Sequence, residues 1–303
     1  MHDKWTPPHP VVFDGVDEVL KGSYDIHVHS SPDIRPRLMD VVELVADYRR
    51  SGFAGAVLKD HFLPTAGRAF VLNKQFGDFR CFSAGVLNAS IGGLNPAAVE
   101  AAVAQGASII YMPTATSAHH IRRHGRDDET EKMLPHGQPG ISIFDESGKI
   151  KREVYDILDI LAAKDTVLAS GHLSPEETAA LMMLAKERHV ERRIVTHASI
   201  DFIDMPVDMQ KQLASQGTYI EHCYISCTTR EPVALEKIAG QIKEVGSASV
   251  ILSSDFGQPR NPAPSQGMRY FIAGFRALDF SVKMLREMVV TNPERLLLSR
   301  SSN

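Results

Sequence analysis

Along the chain one pattern of hydrophobic and polar positions recurs. A short apolar run is followed by a polar or glycine-containing loop, and then by a stretch with helical spacing and helix-capping residues. The apolar runs are YDIHVH (24–29), AGAVLKDH (54–61), RCFSAGVL (80–87), SIIYMP (108–113), TVLASGH (166–172), RIVTH (193–197), TYIEHCY (218–224) and SVILSSD (249–255). Each reads as a strand. Asp40 with Glu43 forms a capping box before VELVADYRR, and Gly52 stands where that helix should stop. Asn95–Pro96 and Ser174–Pro175 with Glu177 open two further helices, the first ending near Gly106. Leu235, Ile238, Ile242 and Val245 share one helical face, and Asn292–Pro293 open a last short helix.

Strict alternation of strands and helices predicts a parallel sheet with helices outside it. Eight units over roughly 230 residues predict an α/β fold of the (β/α)8 TIM-barrel type, since such barrels typically take about 250. A doubly wound sheet would want a glycine-rich turn after the first strand, and HSSPDIRPR is not one. One connection is abnormally long, residues 114–149 between strands four and five. Within it GISIFDESGKIK reads as a hairpin. No composition break marks a second domain, so residues 1–303 are expected to form one barrel domain carrying that insertion.

Composition narrows the class without naming a chemistry. Hydrophobic residues make up 43% and charged residues 23%, enough for a core and too apolar for a disordered chain. The 33 basic and 37 acidic side chains leave a net charge of -4, so no nucleic-acid surface is expected. The start MHDKWTPPHP lacks a signal-peptide pattern, and no apolar run approaches the roughly 20 residues of a membrane helix. Three cysteines do not make a disulfide framework and fit a reducing compartment, so the expectation is a cytoplasmic protein acting on a small molecule, with homo-oligomerisation left open.

The 13 histidines change the picture. A lone His-x-His is weak evidence, but these residues fall at strand ends. His27 and His29 share one face of strand one by the two-residue alternation. His61 ends strand two, His172 strand five, His197 strand six and Asp255 strand eight, while Glu221 and His222 compete for the inward position on strand seven. In a parallel barrel all of these ends open onto one face, where active sites are built. Imidazole and carboxylate suit Zn²⁺ and comparable divalent ions, with a coordination position left for water. Asp255 can both ligate and accept a proton. The expected metal set is His27, His29, His172, His197 and Asp255, with Lys59 and His61 as further catalytic candidates beside Asp255.

Other candidates carry less. Cys223 and Cys227 lack a second pair and read as buried thiols, and Cys81 begins strand three, at the wrong end. Arg35 and Arg37 suit an anion clamp or a solvated loop. The cluster His119, His120, Arg122, Arg123, His124 and Arg126 reads as a polar loop placed where a lid would sit.

DIHVH, SGH, VTH, SSD and the trailing TNPERLL, in that order, resemble the amidohydrolase superfamily. The resemblance implies a (β/α)8 barrel holding one or two divalent ions, zinc first, with Mn, Fe or Ni as alternatives, and hydrolysis of an amide, ester, lactone or related bond. It matches His27 and His29 to the strand-one pair, His172 and His197 to the later ligands, and Asp255 to the metal-binding base. Two-metal members commonly bridge the ions with a carboxylated lysine or a glutamate from strand four. SIIYMPTAT offers neither, and Lys59 is the nearest substitute. Locally, DIHVHSSPD with VLKDHFLPTAGRA is similar to the opening of PHP-type phosphoesterases, which would make His61 a ligand, although SAGVLNAS lacks the glutamate that family places next. A barrel that binds metal or ligand without turnover is the non-enzyme alternative, and Asp255 speaks against it.

Overall fold

A computed structural model describes residues 5–134 and 138–298. Eight strands, β1 (Tyr24–Val28), β2 (Gly55–Leu58), β3 (Arg80–Val86), β4 (Ile109–Tyr111), β5 (Val167–Ala169), β6 (Arg193–Val195), β7 (Thr218–Cys223) and β8 (Val250–Ser253), pair in sequence order, every pair parallel. The seam between β8 and β1 is closed by two backbone bonds, Asp255 N–H to the His27 carbonyl at 2.8 Å and His29 N–H to the Phe256 carbonyl at 2.9 Å. This is the (β/α)8 barrel that the alternation predicts.

Local chemistry sets the helix boundaries. Asp40 Oδ1 accepts from the N–H groups of Val42 and Glu43, both at 2.8 Å, and Glu43 returns a bond to the Asp40 N–H at 3.0 Å. Ser174 and Glu177 form the same reciprocal cap ahead of the helix Pro175–Glu187. Gly52 follows the helix Val41–Arg50 with a φ of 81°, a conformation a side chain would disfavour. One expected start is corrected. Asn292 does not open a fresh helix, because the preceding segment Glu287–Thr291 is already helical, with a wider π-type turn, and runs straight into Asn292–Leu297. The Asn292 side chain instead donates to the Ser247 and Val250 carbonyls at 2.8 and 2.7 Å, tying the C-terminal helix to the start of β8.

Two apolar layers result. Tyr24, Ile26, Val57, Phe82, Ala84, Ile109, Tyr111, Val167, Ile194 and Ile251 fill the barrel interior, and a larger layer, including Leu44, Leu58, Ile110, Leu168, Val195 and Leu252, lies between strands and helices. Truncating one such fully buried side chain to alanine costs about 2–5 kcal/mol.

The long connection after β4 is not irregular throughout. Ser117 caps a helix Ala118–His124 and Asp127 caps a second, Asp128–Met133. Neither is predicted from the sequence, because both are short and lack an apolar stripe. The expected hairpin is reduced to one antiparallel bridge, Phe144 with Ile150, around a turn in which the Asp145 N–H bonds the Lys149 carbonyl at 2.8 Å. Residues 135–137 of this insertion and the MHDK start lie outside the described residues. Among the described residues no helix is long and apolar enough to cross a membrane.

Candidate metal centre

The strands are shorter than the apolar runs that predict them, and the difference builds the site. β1 pairs with β2 as Tyr24 to Gly55 and Asp25 to Ala56, then as Val28 to Leu58, so β1 carries one extra residue in between. Before this bulge Tyr24 and Ile26 point into the barrel, while Asp25 points out and accepts from the Tyr48 hydroxyl at 2.5 Å. Past it the parity flips, and His27 and His29 face inward. Unbulged, they would follow Asp25 into the helix layer. His197 and Asp255 end their strands with φ of 55° and 51°, values costly for residues with a side chain, and so turn inward just where the ladder stops. Gly257 has φ 135°, and a Cβ there would lie 2.2 Å from the His29 carbonyl oxygen. This close approach lets the loop after β8 lie against β1.

Four of the five expected ligands meet, and His172 lies beside His197 without joining either group of mutually close ligand atoms. Asp255 Oδ1 lies 3.3 Å from His27 Nε2 and 3.0 Å from His29 Nε2, and Asp255 Oδ2 lies 3.3 Å from His197 Nε2. The His172 ring centroid is 5.4 Å from that of His197, and His61 stacks on His29 at 4.7 Å. Adjacent ligand atoms around a tetrahedral ion with bonds of 2.0–2.2 Å are separated by roughly 3.3–3.6 Å, so the Asp255 contacts are close to ligand edges. His27 Nε2, both ring nitrogens of His29, His172 Nε2 and His197 Nδ1 are buried without a properly directed hydrogen bond. Each such atom costs about 1–3 kcal/mol unless something satisfies it. Burial lowers the pKa of all four imidazoles, with Lys59 adding to the effect, so each is neutral and offers a lone pair at neutral pH. A divalent cation fits this donor set.

Lys59 and His61 share the inward face of β2's extension, whereas Asp60 turns away to pair with Arg68 at 2.7 Å. Lys59 Nζ has no hydrogen-bond partner and lies 5.0 Å from the centre of the Tyr111 ring. Burial lowers its pKa, against the pull of Asp255 and Glu221. His61 Nδ1 is 2.9 Å from Thr114 Oγ1. At the C-terminal end of β4 the inward residue is Tyr111, which offers no carboxylate or lysine.

Two members of the cluster lie outside the expected metal set. On β7 Glu221 takes the inward position, with its carboxylate oxygens 3.2 and 3.3 Å from His27 Nδ1, and it accepts from Ser253 Oγ at 2.5 Å. Cys223, expected to be a plain buried thiol, is buried with Sγ 3.6 Å from the same nitrogen. His222 is the outward residue, bonded to Ser199, which donates to Gln241 at 2.7 Å. Ile220, two residues before His222, lies in the helix-facing layer on the same side, but its apolar side chain alone does not give the face, because both layers are apolar. Ligand atoms of His27, His197, Glu221 and Cys223 all lie within 4.8 Å of one another, as do those of His27, His29 and Asp255.

The model of DUF6282, a family of unknown function, matches residues 22–221. The chain belongs to this family. No curated protein matches it by sequence. Among solved structures, an amidohydrolase from Pseudomonas aeruginosa superposes with a TM-score of 0.64 at 11% identity, over 93% of this chain and 98% of that one. The metallopeptidase dipeptidase AC gives a TM-score of 0.63 at 12% identity, over 92% and 98% of the two chains. A 2,6-dihydroxybenzoate decarboxylase from Rhizobium gives 0.53 at 12%, over 91% and 98%. At such identities the likeness is one of fold.

In this DUF6282 chain the insertion packs over the histidines. His120 Nδ1 lies 3.1 Å from His172 Nδ1, and His119 Nε2 lies 2.6 Å from the Phe202 carbonyl. Arg35 and Arg37, one reading of which is an anion clamp, are both engaged by carboxylates. Arg37 pairs with Asp33 at 2.7 Å, and Arg35 pairs with Asp127 at the cap of the second insertion helix. A cavity of about 910 Å³, lined by Arg80, Cys81, Ser108, Thr166 and Arg192, lies at the opposite end of the barrel, around the strand beginnings. It holds none of the convergent histidines, and the chemistry points to the strand ends instead.

Proposed function

We propose that the protein is a metal-dependent hydrolase of amidohydrolase type, acting on an amide, ester, lactone or related bond of a small molecule. The observation that carries this reading is Asp255, whose two oxygens contact Nε2 of three histidines drawn from two different strands. His27, His29 and His197 would hold the ion together with Asp255, and His172, whose ring lies 5.4 Å from that of His197, would complete the set. Zinc suits neutral imidazole and carboxylate donors best, with Mn, Fe and Ni as alternatives. Bound there, a divalent ion supplies Lewis acidity and brings the pKa of water down toward about 7.

The chain's own groups do the rest. Burial raises the Asp255 carboxyl pKa to about 7, with the Lys59 ammonium offsetting part of the rise, which suits a group that takes a proton from attacking water near neutral pH. His27 is 0% exposed and Asp255 9%, so bulk water is largely excluded and the substrate must be small enough to enter beneath the insertion. Lys59 and His61 flank this position and serve as further ligands or as contacts to the substrate.

Elemental analysis of gently purified protein, together with a panel of amide, lactone, phosphoester and decarboxylation substrates, tests the reading. One or two equivalents of divalent metal and turnover confined to the acyl substrates are expected. Metal-free protein that cannot be loaded, or turnover of phosphoesters alone, would overturn it.

A further inference from the structure

Three contacts tie the insertion to a metal-ligand candidate rather than merely to the barrel rim. Ser117 Oγ donates to the His172 carbonyl at 2.7 Å and accepts from the His120 N–H at 3.0 Å, so the cap of the helix Ala118–His124 is anchored on His172. The third contact is between side chains, with the Nδ1 atoms of His120 and His172 lying 3.1 Å apart. The His120 ring is held there by its neighbours. It lies 4.9 Å from the His172 ring and 5.1 Å from that of His124, and sits edge-on to Phe202 at 5.0 Å.

Two facing Nδ1 atoms at this distance need one proton between them. A proton on His120 Nδ1 would leave His172 with its own proton on Nε2, which is buried and has no acceptor. A proton on His172 Nδ1, donated to His120, leaves the buried His172 Nε2 with a free lone pair. Metal-binding histidines depend on such a partner at the second ring nitrogen to fix tautomer and orientation.

We propose that His120 is a positioning residue for His172, and that it couples metal binding to the docking of the insertion helix Ala118–His124 on the barrel mouth. The inference rests on the metal-centre reading given above. Coupling of this kind is reciprocal. If docking of His120 strengthens metal binding, metal binding strengthens docking by the same factor.

The test uses the full chain as wild type, His120→Ala and His120→Asn. Zinc affinity is measured by competition with a chromogenic chelator, and amide hydrogen exchange is followed in the peptide covering residues 117–124 with and without zinc. In the wild type, zinc should slow exchange in that peptide. His120→Ala should bind zinc roughly ten- to a hundredfold more weakly and lose the zinc-dependent protection. His120→Asn places an acceptor oxygen near the missing nitrogen and should recover a large part of both. Wild-type protein that takes up no zinc would sink the metal reading and this inference together. If the wild type binds zinc and His120→Ala binds it equally well, or if His120→Asn behaves like His120→Ala, the metal reading survives and the coupling is overturned.

Discussion

The backbone N–H of Asp255 donates to the carbonyl of His27 at 2.8 Å, and Oδ1 of the same aspartate lies 3.3 Å from His27 Nε2. The seam that closes the barrel therefore also fixes the distance between the proposed base and the first histidine. Two strands at opposite ends of the barrel sequence meet in one residue pair, and the positive φ of Asp255 lets backbone and side chain serve both purposes. Asp255→Asn keeps the shape and one acceptor oxygen but cannot take a proton at neutral pH. Its kcat should fall by roughly two orders of magnitude or more, the usual scale for a lost general base, while metal content changes much less. A kcat near wild type would remove Asp255 from the mechanism.

Glu221 offers a second test because it touches His27 from the other side. Its carboxylate accepts from His27 Nδ1, a bond that keeps the ring proton on Nδ1 and leaves Nε2 bare toward Asp255. Glu221→Gln preserves size but gives up the charge. Metal affinity should drop about ten- to a hundredfold, the range seen when such an outer partner is lost, as read by chelator competition. An affinity equal to wild type would reduce Glu221 to a partner of Ser253.

The barrel is legible in the sequence because its signals are local: apolar runs of the right length, capping pairs such as Asp40 with Glu43, and strand-end histidines that the topology gathers on one face. What stays hidden depends on pairing. The two-residue alternation puts His27 and His29 on one face, but which face follows from the extra residue that β1 carries against β2. The same blindness leaves Glu221 and His222 undecided. His120 is hidden for another reason. It sits on a short helix with no apolar stripe, held by Ser117 and by contacts to residues distant in sequence, so the segment reads as a polar loop. Cys223 is legible as buried and not as a neighbour of His27.

The N-terminal segment carries a pH dependence of its own. His9 Nε2 bonds the Tyr224 hydroxyl at 2.9 Å, and the ring lies so close to Gly274 that a Cβ there would sit 2.5 Å away, while Trp5 stacks on Tyr270 at 5.2 Å. Burial lowers the His9 pKa. A depressed histidine stabilises the fold above its unfolded pKa, about 6.5, and that contribution is lost as pH falls toward the lower folded value. His9→Gln should therefore lose less thermal stability than wild type between pH 7 and pH 5. His9 is only partly buried, so the gap should be small. Melting curves of the two proteins that shift in parallel across this range would show that His9 does not titrate with unfolding.

The question of metal count turns on β2. Lys59 and His61 reach the site from one strand extension, Lys59 buried and without a hydrogen-bond partner, His61 stacked on His29. Desolvation lowers the Lys59 pKa, and a neighbouring metal ion would disfavour its ammonium form further. A neutral Lys59 amine can add to carbon dioxide, forming an N–C bond and releasing its proton. The resulting carbamate would be an anionic ligand in a position that the inward Tyr111 of β4 cannot supply. The alternative keeps Lys59 cationic, facing an anionic part of the substrate, and makes His61 the ligand from this strand. Lys59→Ala and His61→Ala, compared for metal content with and without bicarbonate and short carboxylic acids, separate the two. We expect at least one of them to lose metal. Loss in Lys59→Ala that acetate restores indicates the carbamate, because acetate can refill the missing carboxylate. Loss confined to His61→Ala assigns the ligand to the imidazole. Full occupancy in both would confine the ligands to the other strand ends and leave β2 to the substrate.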